Sequence, residues 1–357
     1  MTKPVVLVTG AGGFIGGWVA EALHLAGWQV RAGISRWMGA SRIARFPLAI
    51  VQCNVMDAAS LDGALKGVDV VVHCARGPNE DDDVAKSGTR LLVQRAKLAG
   101  AKKMIFTSSV AVYGDAVGII EEDTPPVGVM SAYGNSKLVA ESTCDELASD
   151  DFPIVGIRPT LVYGPFSQQW SAPFIARFAS GGWAALGDKG EGKCNLVYVG
   201  DLVRMIRFMI DNDTGRFAVF NGNGPEAPTW NSYLERFNDA LGFPPLAPPD
   251  ASLALKVAIR RPVRKLGKYL LANHRGLLTA VAARSPKIKT AMKKAEEDLR
   301  LRPNDDEMAR FATDVTYSMD RAARIGFMPQ TSVDEGIAMT AEWARDIGLV
   351  GGRQSAA

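Results

Sequence analysis

The sequence contains no run of about 18 consecutive apolar residues, so we expect no membrane-spanning helix. Its first residues lead straight into an apolar stretch and lack the layout of a signal peptide. The four cysteines, Cys53, Cys74, Cys144 and Cys194, have neither the spacing of disulfide pairs nor that of metal ligands. These absences predict buried free thiols, no metal site and a cytoplasmic protein in a reducing compartment.

Acidic residues are absent from residues 251–295, although 12 of the 41 lysines and arginines lie there. The rest of the chain therefore carries 29 basic against 38 acidic residues. The segment mixes its cations with leucine, valine and isoleucine, a pattern typical of amphipathic helices on anionic lipid headgroups. A lid that neutralises the acidic body or binds substrate phosphates explains the pattern almost as well. Nucleic acid is disfavoured, because Tyr269 is the only Phe, Trp or Tyr there on which a base could stack.

Short apolar runs alternate with helical patterns over the first two hundred residues, which predicts an α/β fold with a doubly wound parallel sheet. The runs are rich in Val and Ile and almost continuously apolar, as expected of strands covered on both faces. The predicted strands are Val5–Thr9, Gln29–Ile34, Ala49–Cys53, Val68–Cys74, Lys103–Ser108, Ile154–Pro159 and Phe217–Phe220. The predicted helices are Gly16–Ala26, Ala58–Leu65, Val84–Ala99, Ala132–Ala148 and Ser332–Ile347.

Three glycines follow the first predicted strand and open the first predicted helix: Gly10, Gly13 and Gly16. Glycine is needed where the backbone turns tightly, where it approaches a pyrophosphate, and where the helix packs closely on the strand. The phosphate would bind N–H groups at the positive end of the helix dipole. With Phe14 and Ile15, these glycines form the predicted pyrophosphate site of a dinucleotide cofactor.

The end of the second predicted strand has no acidic residue, because Ile34 is followed by Ser35 and Arg36. NAD sites place a carboxylate there on the ribose 2′-hydroxyl, and that carboxylate would repel a 2′-phosphate. Ser35 and Arg36 could bind the phosphate instead, so we expect NADP(H) to be preferred over NAD(H). The alternative is that Arg36 is an ordinary solvated side chain. The other predicted cofactor contacts, beside the adenine and the ribose, are Asn54, Val55, Cys74 and Ala75.

A hydroxyl-rich strand end and a Tyr-x-x-x-Lys helix supply candidate catalytic groups. Tyr133 and Lys137 lie one helical turn apart, and Ser109 follows the strand before them. Hydride transfer to a carbonyl needs a proton donor at its oxygen, and the reverse reaction needs a base. The usual pKa of tyrosine, about 10, is too high for that task near neutrality. An ammonium one turn away favours the phenolate and lowers the pKa, while Ser109 can orient the substrate oxygen.

Four runs together resemble the extended short-chain dehydrogenase/reductase superfamily: Thr9–Gly16, Phe106–Gly114, Tyr133–Lys137 and Arg158–Pro165. This superfamily includes nucleotide-sugar epimerases and dehydratases, dihydroflavonol-type reductases and 3β-hydroxysteroid dehydrogenases. The likeness covers residues 4–224, with a weaker echo in 321–344.

The resemblance implies that Ser109, Tyr133 and Lys137 are the catalytic set. It implies that Pro159 to Val162 supply backbone near the nicotinamide, so Pro159 and Val162 complete the cofactor set. It also implies a homodimer formed through the helices at 84–99 and 132–148.

Departures from the family pattern narrow the expected chemistry. Val110 and Ala111 stand where 4,6-dehydratases carry an Asp-Glu pair, so dehydration is not expected. Asn54 replaces the familiar acidic residue near the adenine. With the missing carboxylate after the second strand, these changes favour a reductase or dehydrogenase that exchanges its cofactor.

Two lobes are expected. Residues 1–164 with 197–224 form a Rossmann-type NADP-binding domain, and residues 165–196 with 225–357 form a smaller, mostly helical substrate lobe. The cations of residues 251–295 favour a lipid-like small-molecule substrate, such as a keto-sphingolipid, sterol or isoprenoid, at an anionic membrane surface. The alternatives are a nucleotide-sugar epimerase or reductase, and a non-catalytic NADP-sensing regulator.

Overall fold

The computed structural model describes residues 3–77, 84–128, 130–181, 183–248 and 303–350. They form two compact units: the described residues within 1–167, 195–227 and 315–336 belong to the first, and those within 168–194, 228–314 and 337–357 belong to the second. The basic segment at 251–295 lies outside the described residues, so the expectations drawn from it have no structural counterpart.

The first unit is built on strands. In chain order they are β1 (Val5–Thr9), β2 (Gln29–Ile34), β3 (Ala49–Gln52), β4 (Val70–His73), β5 (Lys103–Thr107), β6 (Gly118–Ile120), β7 (Ile154–Pro159), β8 (Leu161–Tyr163), β9 (Leu196–Tyr198), β10 (Phe217–Gly222) and β11 (Val315–Tyr317). Seven of them form one sheet in the order β3-β2-β1-β4-β5-β7-β10, and every neighbouring pair is parallel. The predicted doubly wound parallel sheet is confirmed. Its central strands β1, β4, β5 and β7 are almost wholly buried on both faces, as their apolar runs require, whereas the edge strand β3 is half-buried to exposed.

Ten α-helices lie in the described ranges. They are α1 (Phe14–Leu25), α2 (Ala58–Leu65), α3 (Thr89–Leu98), α4 (Ala132–Leu147), α5 (Ala172–Ala179), α6 (Val199–Asp211), α7 (Trp230–Leu241), α8 (Asp305–Phe311), α9 (Asp320–Arg324) and α10 (Val333–Asp346). Helices α1 and α6 pack together, and α3 packs between α2 and α4. Leu61, Leu92 and Cys144 from these last three helices join Leu7 and Val71 of the sheet in one buried cluster.

Several elements differ from the sequence-based prediction by a few residues. The strands β3, β4 and β5 end one residue early, yet the N–H groups of Cys53, Cys74 and Ser108 still donate to neighbouring strands. The helix predicted at 84–99 becomes α-helical at Thr89, and Val84–Gly88 form a π-helical turn. Gly88 sits at this junction, and glycine is a weak helix former that permits the change of hydrogen-bonding pattern.

Two small sheets complete the first unit. Strand β8 pairs in parallel with β9, and β6 pairs in parallel with β11. The β6–β11 pairing joins residues 118–120 to residues 315–317, so residues 315–336 belong to the first unit.

The second unit is helical and held together by aromatic rings. Trp230, on α7, packs against Phe311, with ring centroids 4.5 Å apart, and both side chains are fully buried. Arg177 pairs with Glu307 at 2.8 Å (Nη2 to Oε1), and both members of this ion pair are largely buried. No helix in the described ranges has the length and apolar character needed to cross a bilayer.

Candidate active site

The turn between β1 and α1 is shaped by its glycines. Gly10 has a φ of +68°, and a Cβ at this position would lie 2.7 Å from the Ala75 nitrogen. A Cβ on Gly16 would collide with the Gly10 carbonyl. The turn is therefore compact enough that a ligand can approach its backbone directly.

The first turn of α1 offers backbone N–H groups to an anion. Gly13 is the N-cap residue and provides no side chain to accept from the helix N–H groups, and the first turn contains no acidic residue. The N–H of Gly13 is occupied by the Gly10 carbonyl at 2.9 Å. The first-turn donors at Phe14 and Ile15 suit a pyrophosphate, so the residues present fit a dinucleotide.

The segment after β2 packs on this glycine turn. A Cβ on Gly12 would lie 2.6 Å from the Gly39 carbonyl oxygen, so the two backbones touch. Arg42 donates through Nη1 to the carbonyls of Gly13 (3.2 Å) and Phe14 (2.6 Å), with its guanidinium 4.5 Å from the Phe166 ring centroid. Burial lowers the pKa of Arg42 to about 10. These contacts, which sequence reasoning missed, brace the turn from outside.

The predicted ribose-phosphate residues lie beside the same turn. Gly33, at the end of β2, is in register with Thr9, and its carbonyl accepts the Ala11 N–H at 3.0 Å. Ser35 and Arg36 follow directly, and both side chains are exposed. Their position at the carboxyl end of β2 leaves them accessible to a ligand bound at the turn.

The residues after β3 and β4 also lie at this edge of the sheet. Asn54 closes a turn by accepting the Met56 N–H at 3.1 Å, and Val55 behind it is buried. Cys74 and Ala75 are half-buried, and their N–H groups donate to the carbonyl (3.2 Å) and the hydroxyl (3.3 Å) of Thr9. Burial raises the pKa of the Cys74 thiol to about 12.

His73 was not predicted as a site residue, although it ends β4 at the same edge. Its Nδ1 lies 2.7 Å from the Thr9 hydroxyl oxygen. Burial, helped by the nearby Lys137 ammonium, lowers the pKa of His73 to about 3, so its imidazole is neutral at physiological pH. Its position at the end of an otherwise apolar strand was the signal in the sequence.

Tyr133 and Lys137 lie in the first two turns of α4. Ser131 caps this helix by accepting the Gly134 N–H at 3.0 Å. The Lys137 Nζ lies 5.8 Å from the centroid of the Tyr133 ring and donates to the Thr107 carbonyl at 2.8 Å. That hydrogen bond connects Lys137 to Thr107, the last residue of β5, and Ser109 lies two residues further along the chain.

Ser109 begins a 3₁₀ turn, Val110–Tyr113, immediately after β5. Its Oγ accepts the Ala111 N–H at 3.2 Å, which leaves its own O–H available as a donor. Val110 and Ala111, the two residues after Ser109, have apolar side chains, so neither supplies an acid or a base there. The prediction that dehydration is not expected therefore stays in place.

A cleft at the carboxyl edge of the sheet brings these groups together. His73, Ala75, Thr107, Tyr133 and Lys137 are among the residues that line it, and about 490 Å³ of space, partly open to solvent, lies between them. Ser109 is two residues beyond Thr107, is 8% exposed and is not among the residues that line the cleft. Pro159, which ends β7, and Val162, in the middle of β8, are buried and do not line this cleft.

The buried position of Lys137 and the charges around it determine the pKa of its ammonium. Burial lowers the pKa of its ammonium to about 8. The nearby charges act in both directions: Glu141 raises the pKa and Arg76 lowers it. The charged form of Lys137 therefore dominates near neutral pH, one helical turn from Tyr133.

The model of the NAD dependent epimerase/dehydratase family matches residues 6–221. The chain belongs to this family. The match covers all of the parallel sheet except its first and last residues, Val5 and Gly222, and it includes every residue placed above at the carboxyl edge. The predicted extended short-chain dehydrogenase/reductase character is confirmed, and with it an enzyme family that binds NAD(P).

Two relatives of the chain are named for different activities. The chain is 32% identical over 208 residues to cinnamoyl-CoA reductase 1 of Oryza sativa subsp. japonica, a match that covers 50% of this chain and 60% of the reductase. It is 29% identical over 226 residues to N-acetyl-alpha-D-glucosaminyl-diphospho-ditrans,octacis-undecaprenol 4-epimerase of Escherichia coli O157:H7, covering 60% of this chain and 66% of the epimerase. The chain thus matches less than two thirds of either relative.

The fold is that of solved epimerase structures. UDP-glucose 4-epimerase from Thermotoga maritima superposes with a TM-score of 0.69, covering 96% of this chain and 99% of that one at 20% sequence identity. At this identity the likeness shows the fold.

In the ranges that the structure describes, no cluster of three or more His, Cys, Asp or Glu side chains could hold a metal ion.

Proposed function

We propose that this epimerase/dehydratase family member interconverts a secondary alcohol and a ketone, with Tyr133 as the acid–base group. The observation that carries the proposal is the placement of Tyr133 and Lys137 one turn apart, lining a cleft at the sheet edge that also bears the glycine turn. Doubly wound sheets bind their ligands at this edge.

Each residue has a defined role in this proposal. A bound nicotinamide dinucleotide supplies or accepts the hydride. Tyr133 gives a proton to the substrate oxygen during reduction and takes it back during oxidation. The Lys137 ammonium, held by the Thr107 carbonyl, stabilises the phenolate form, and Ser109 donates its O–H to the same substrate oxygen.

For the substrate we propose a sugar carried on a diphosphate, as in a nucleotide sugar. Support comes from a relative named for an N-acetylglucosaminyl-diphospho substrate and from the fold shared with UDP-glucose 4-epimerase. Epimerisation fits the same site, because oxidation followed by reduction on the opposite face uses one acid–base residue twice.

A second candidate is an NADP(H)-dependent reductase that exchanges its cofactor. It is favoured by the exposed Ser35 and Arg36, with no carboxylate at the end of β2, and by the cinnamoyl-CoA reductase relative. The lipid-like substrate and the anionic membrane surface depended on residues 251–295 alone, so within the described residues nothing argues for them. The homodimer remains a prediction.

One assay separates the two candidates. The protein is incubated with UDP-glucose or UDP-N-acetylglucosamine, and inversion at the sugar carbon is followed by NMR with cofactor absorbance recorded in parallel. Sugar inversion without net change in cofactor redox state supports the epimerase. Net oxidation of NADPH with carbonyl substrates, cinnamoyl-CoA among them, supports the reductase.

The Tyr133→Phe variant tests the catalytic role. Loss of the proton donor is expected to lower turnover by about 10²- to 10⁴-fold while cofactor binding is retained. Tyr198→Phe is the matched control, because it removes a buried hydroxyl away from the cleft. A Tyr133→Phe protein with full biological activity would instead favour the non-catalytic regulator.

The Arg36→Ala variant tests the NADP(H) preference. If Arg36 binds the 2′-phosphate, the substitution weakens NADPH binding about tenfold or more and leaves NADH binding unchanged, since a charge-assisted hydrogen bond contributes about 1.5–3 kcal/mol. Arg207→Ala, an exposed arginine on α6, is the control. Equal affinity of the wild-type protein for NADPH and NADH by fluorescence titration would refute the preference.

A further inference from the structure

Glu141 lies one turn beyond Lys137 on α4, buried at 5% exposure beneath the catalytic pair. A carboxylate in such a position is expensive to desolvate unless its oxygens are fully hydrogen-bonded. Neither the sequence motifs nor the proposed reaction gives it a role, so its partners are informative.

Two different elements supply the partners of Glu141. The Ser108 hydroxyl donates to Oε1 from the end of β5, next to Ser109. Arg158, near the end of β7, forms a fork: its Nε donates to Oε1 at 2.9 Å and its Nη2 to Oε2 at 2.6 Å. The single carboxylate thus links the strand end bearing the catalytic serine to the helix bearing Tyr133 and Lys137.

The network continues beyond Arg158. Its Nη1 donates to the Tyr113 hydroxyl oxygen and to the Glu122 carbonyl, both at 2.8 Å. Tyr113 donates to the Asn221 Oδ1 at 2.7 Å, and the Asn221 N–H donates to the Glu122 carboxylate at 2.9 Å. Burial opposes the charge on Arg158, but Glu141 and Tyr113 hold the pKa of Arg158 above its usual value. A buried network satisfied in this way is rigid.

The charges around Lys137 give Glu141 a second role. From β4 and the residues after it come His73, Cys74 and Arg76; from α4 come Tyr133, Glu141 and Cys144. Burial raises the pKa values of Cys74 and Cys144 well above neutrality and keeps both thiols uncharged, while His73 is neutral. Among these described groups, Glu141 is the carboxylate that opposes the repulsion from Arg76.

We propose that Glu141 is a positioning residue that locks the Ser108–Ser109 strand end to the Tyr133–Lys137 helix and supplies the negative charge that keeps Lys137 in its ammonium form. The inference rests on the function proposed above for Tyr133 and Lys137. It assigns two separable effects to one side chain: placement of Ser109, which acts through Ser108, and charge, which acts directly on Lys137.

Two substitutions separate these effects. Glu141→Gln is expected to lower kcat about 10- to 100-fold through misplacement, with KM little changed, and to move the alkaline limb of the kcat profile to lower pH. Ser108→Ala removes one hydrogen bond without changing charge, so it lowers kcat and leaves the alkaline limb in place. Glu146 is an exposed carboxylate on the same helix and pairs with Arg90, so Glu146→Gln should change neither kcat nor the alkaline limb.

The charge effect has a readout that needs no substrate. Competitive acetylation of the cofactor-free protein across a pH series, read by mass spectrometry, reports the protonation midpoint of Lys137, with exposed Lys102 as internal reference. The midpoint is expected at lower pH in Glu141→Gln than in wild type. If Glu141→Gln fails to fold, the double variant Glu141→Gln/Arg158→Met removes both buried charges and is measured instead.

The outcomes separate the two proposals. An unchanged labelling midpoint of Lys137 in the Glu141 variant would overturn the charge role of Glu141. If Ser108→Ala displaced the alkaline limb as far as Glu141→Gln does, the displacement could not be assigned to the charge of Glu141. Wild-type kcat in a folded Ser108→Ala variant would overturn the placement role. A shifted midpoint in a protein that turns over neither sugar nucleotides nor carbonyl compounds would support the charge role and refute the proposed function.

Discussion

Replacing Gly16 by alanine should damage both the fold and the cofactor site. A Cβ added to Gly16 would lie 2.8 Å from the Gly10 carbonyl carbon and 3.1 Å from the Ala11 nitrogen, against about 3.5–4.0 Å for a favourable contact. The obstacle is backbone, and the Gly10 carbonyl is fixed because it accepts the Gly13 N–H at 2.9 Å. Relief of the clash therefore requires the whole turn to move.

The expected magnitude combines two opposing terms. Overpacking of this kind costs about 1–3 kcal/mol, and a rigid backbone neighbour places Gly16→Ala at the upper end. Alanine recovers about 1 kcal/mol through its higher helix propensity. The free energy of unfolding should therefore fall by about 2 kcal/mol, and NADPH should bind at least about tenfold more weakly because the displaced N–H groups no longer fit the pyrophosphate.

Gly63→Ala is the matched control. Gly63 is also helical, in α2, and a Cβ there meets no atom within 4 Å. That variant should gain about 0.5–1 kcal/mol and bind NADPH as wild type does. Urea denaturation and NADPH fluorescence titration measure both quantities. A Gly16→Ala protein as stable as Gly63→Ala, with wild-type affinity for NADPH, would refute the close-approach argument.

Four further predictions concern charge and burial. The pKa of Lys137 is about 8 in the folded protein and 10.5 in the unfolded chain, so the unfolded chain binds more protons between these two pH values. Below pH 8 the buried ammonium therefore destabilises the fold, and Lys137→Met should raise the free energy of unfolding by at most about 3 kcal/mol. Chemical denaturation at a series of pH values should show this gain disappearing towards pH 10.5. Turnover should fall above about pH 8 as Lys137 loses its proton, and a pH-rate profile flat to pH 10 would contradict this. Glu307→Gln should destabilise the second unit by about 3–5 kcal/mol, since it leaves Arg177 buried and without its carboxylate, whereas exposed Glu235→Gln should not. Burial raises the pKa of all four cysteine thiols, so few of them are thiolates at pH 8. A disulfide reagent at pH 8 should therefore react slowly with the native protein and with all four cysteines in denaturant. Rapid labelling of the native protein would contradict the burial of the thiols.

The sheet could be predicted because its information is local. Strands β1, β2 and β7 begin and end where their apolar runs predict, and the glycine turn follows β1 directly. Strands covered on both faces have almost continuous apolar sequences, and consecutive parallel strands need a crossover connection, which is usually a helix. The catalytic candidates could be predicted from the sequence for the same reason, because Tyr133 and Lys137 are four residues apart on one helix.

The rest depended on contacts between distant residues. Strand β11 has three residues and pairs with β6, nearly two hundred positions earlier, so no local periodicity marks it. Arg42 braces the glycine turn from about thirty residues away, and nothing in its own neighbourhood indicates the carbonyls to which it donates. Helix α6 was missed although its apolar face is strong, because it follows a strand of only three residues, β9.

The acid–base residues cannot by themselves decide between epimerase and reductase, because Tyr133 performs the same proton transfer in both. What differs is whether the cofactor leaves after one hydride transfer. An epimerase must hold it through oxidation and reduction, whereas a reductase must release it, so the rate of cofactor release is the discriminating quantity. The bracing of the glycine turn by Arg42 favours retention, and the exposed end of β2 at Ser35 and Arg36 favours exchange. In the proposed cofactor site, Arg42 would act at the pyrophosphate turn and Arg36 at the ribose 2′-phosphate. Arg42→Lys should then speed the release of NADH and NADPH alike, and Arg36→Ala that of NADPH alone.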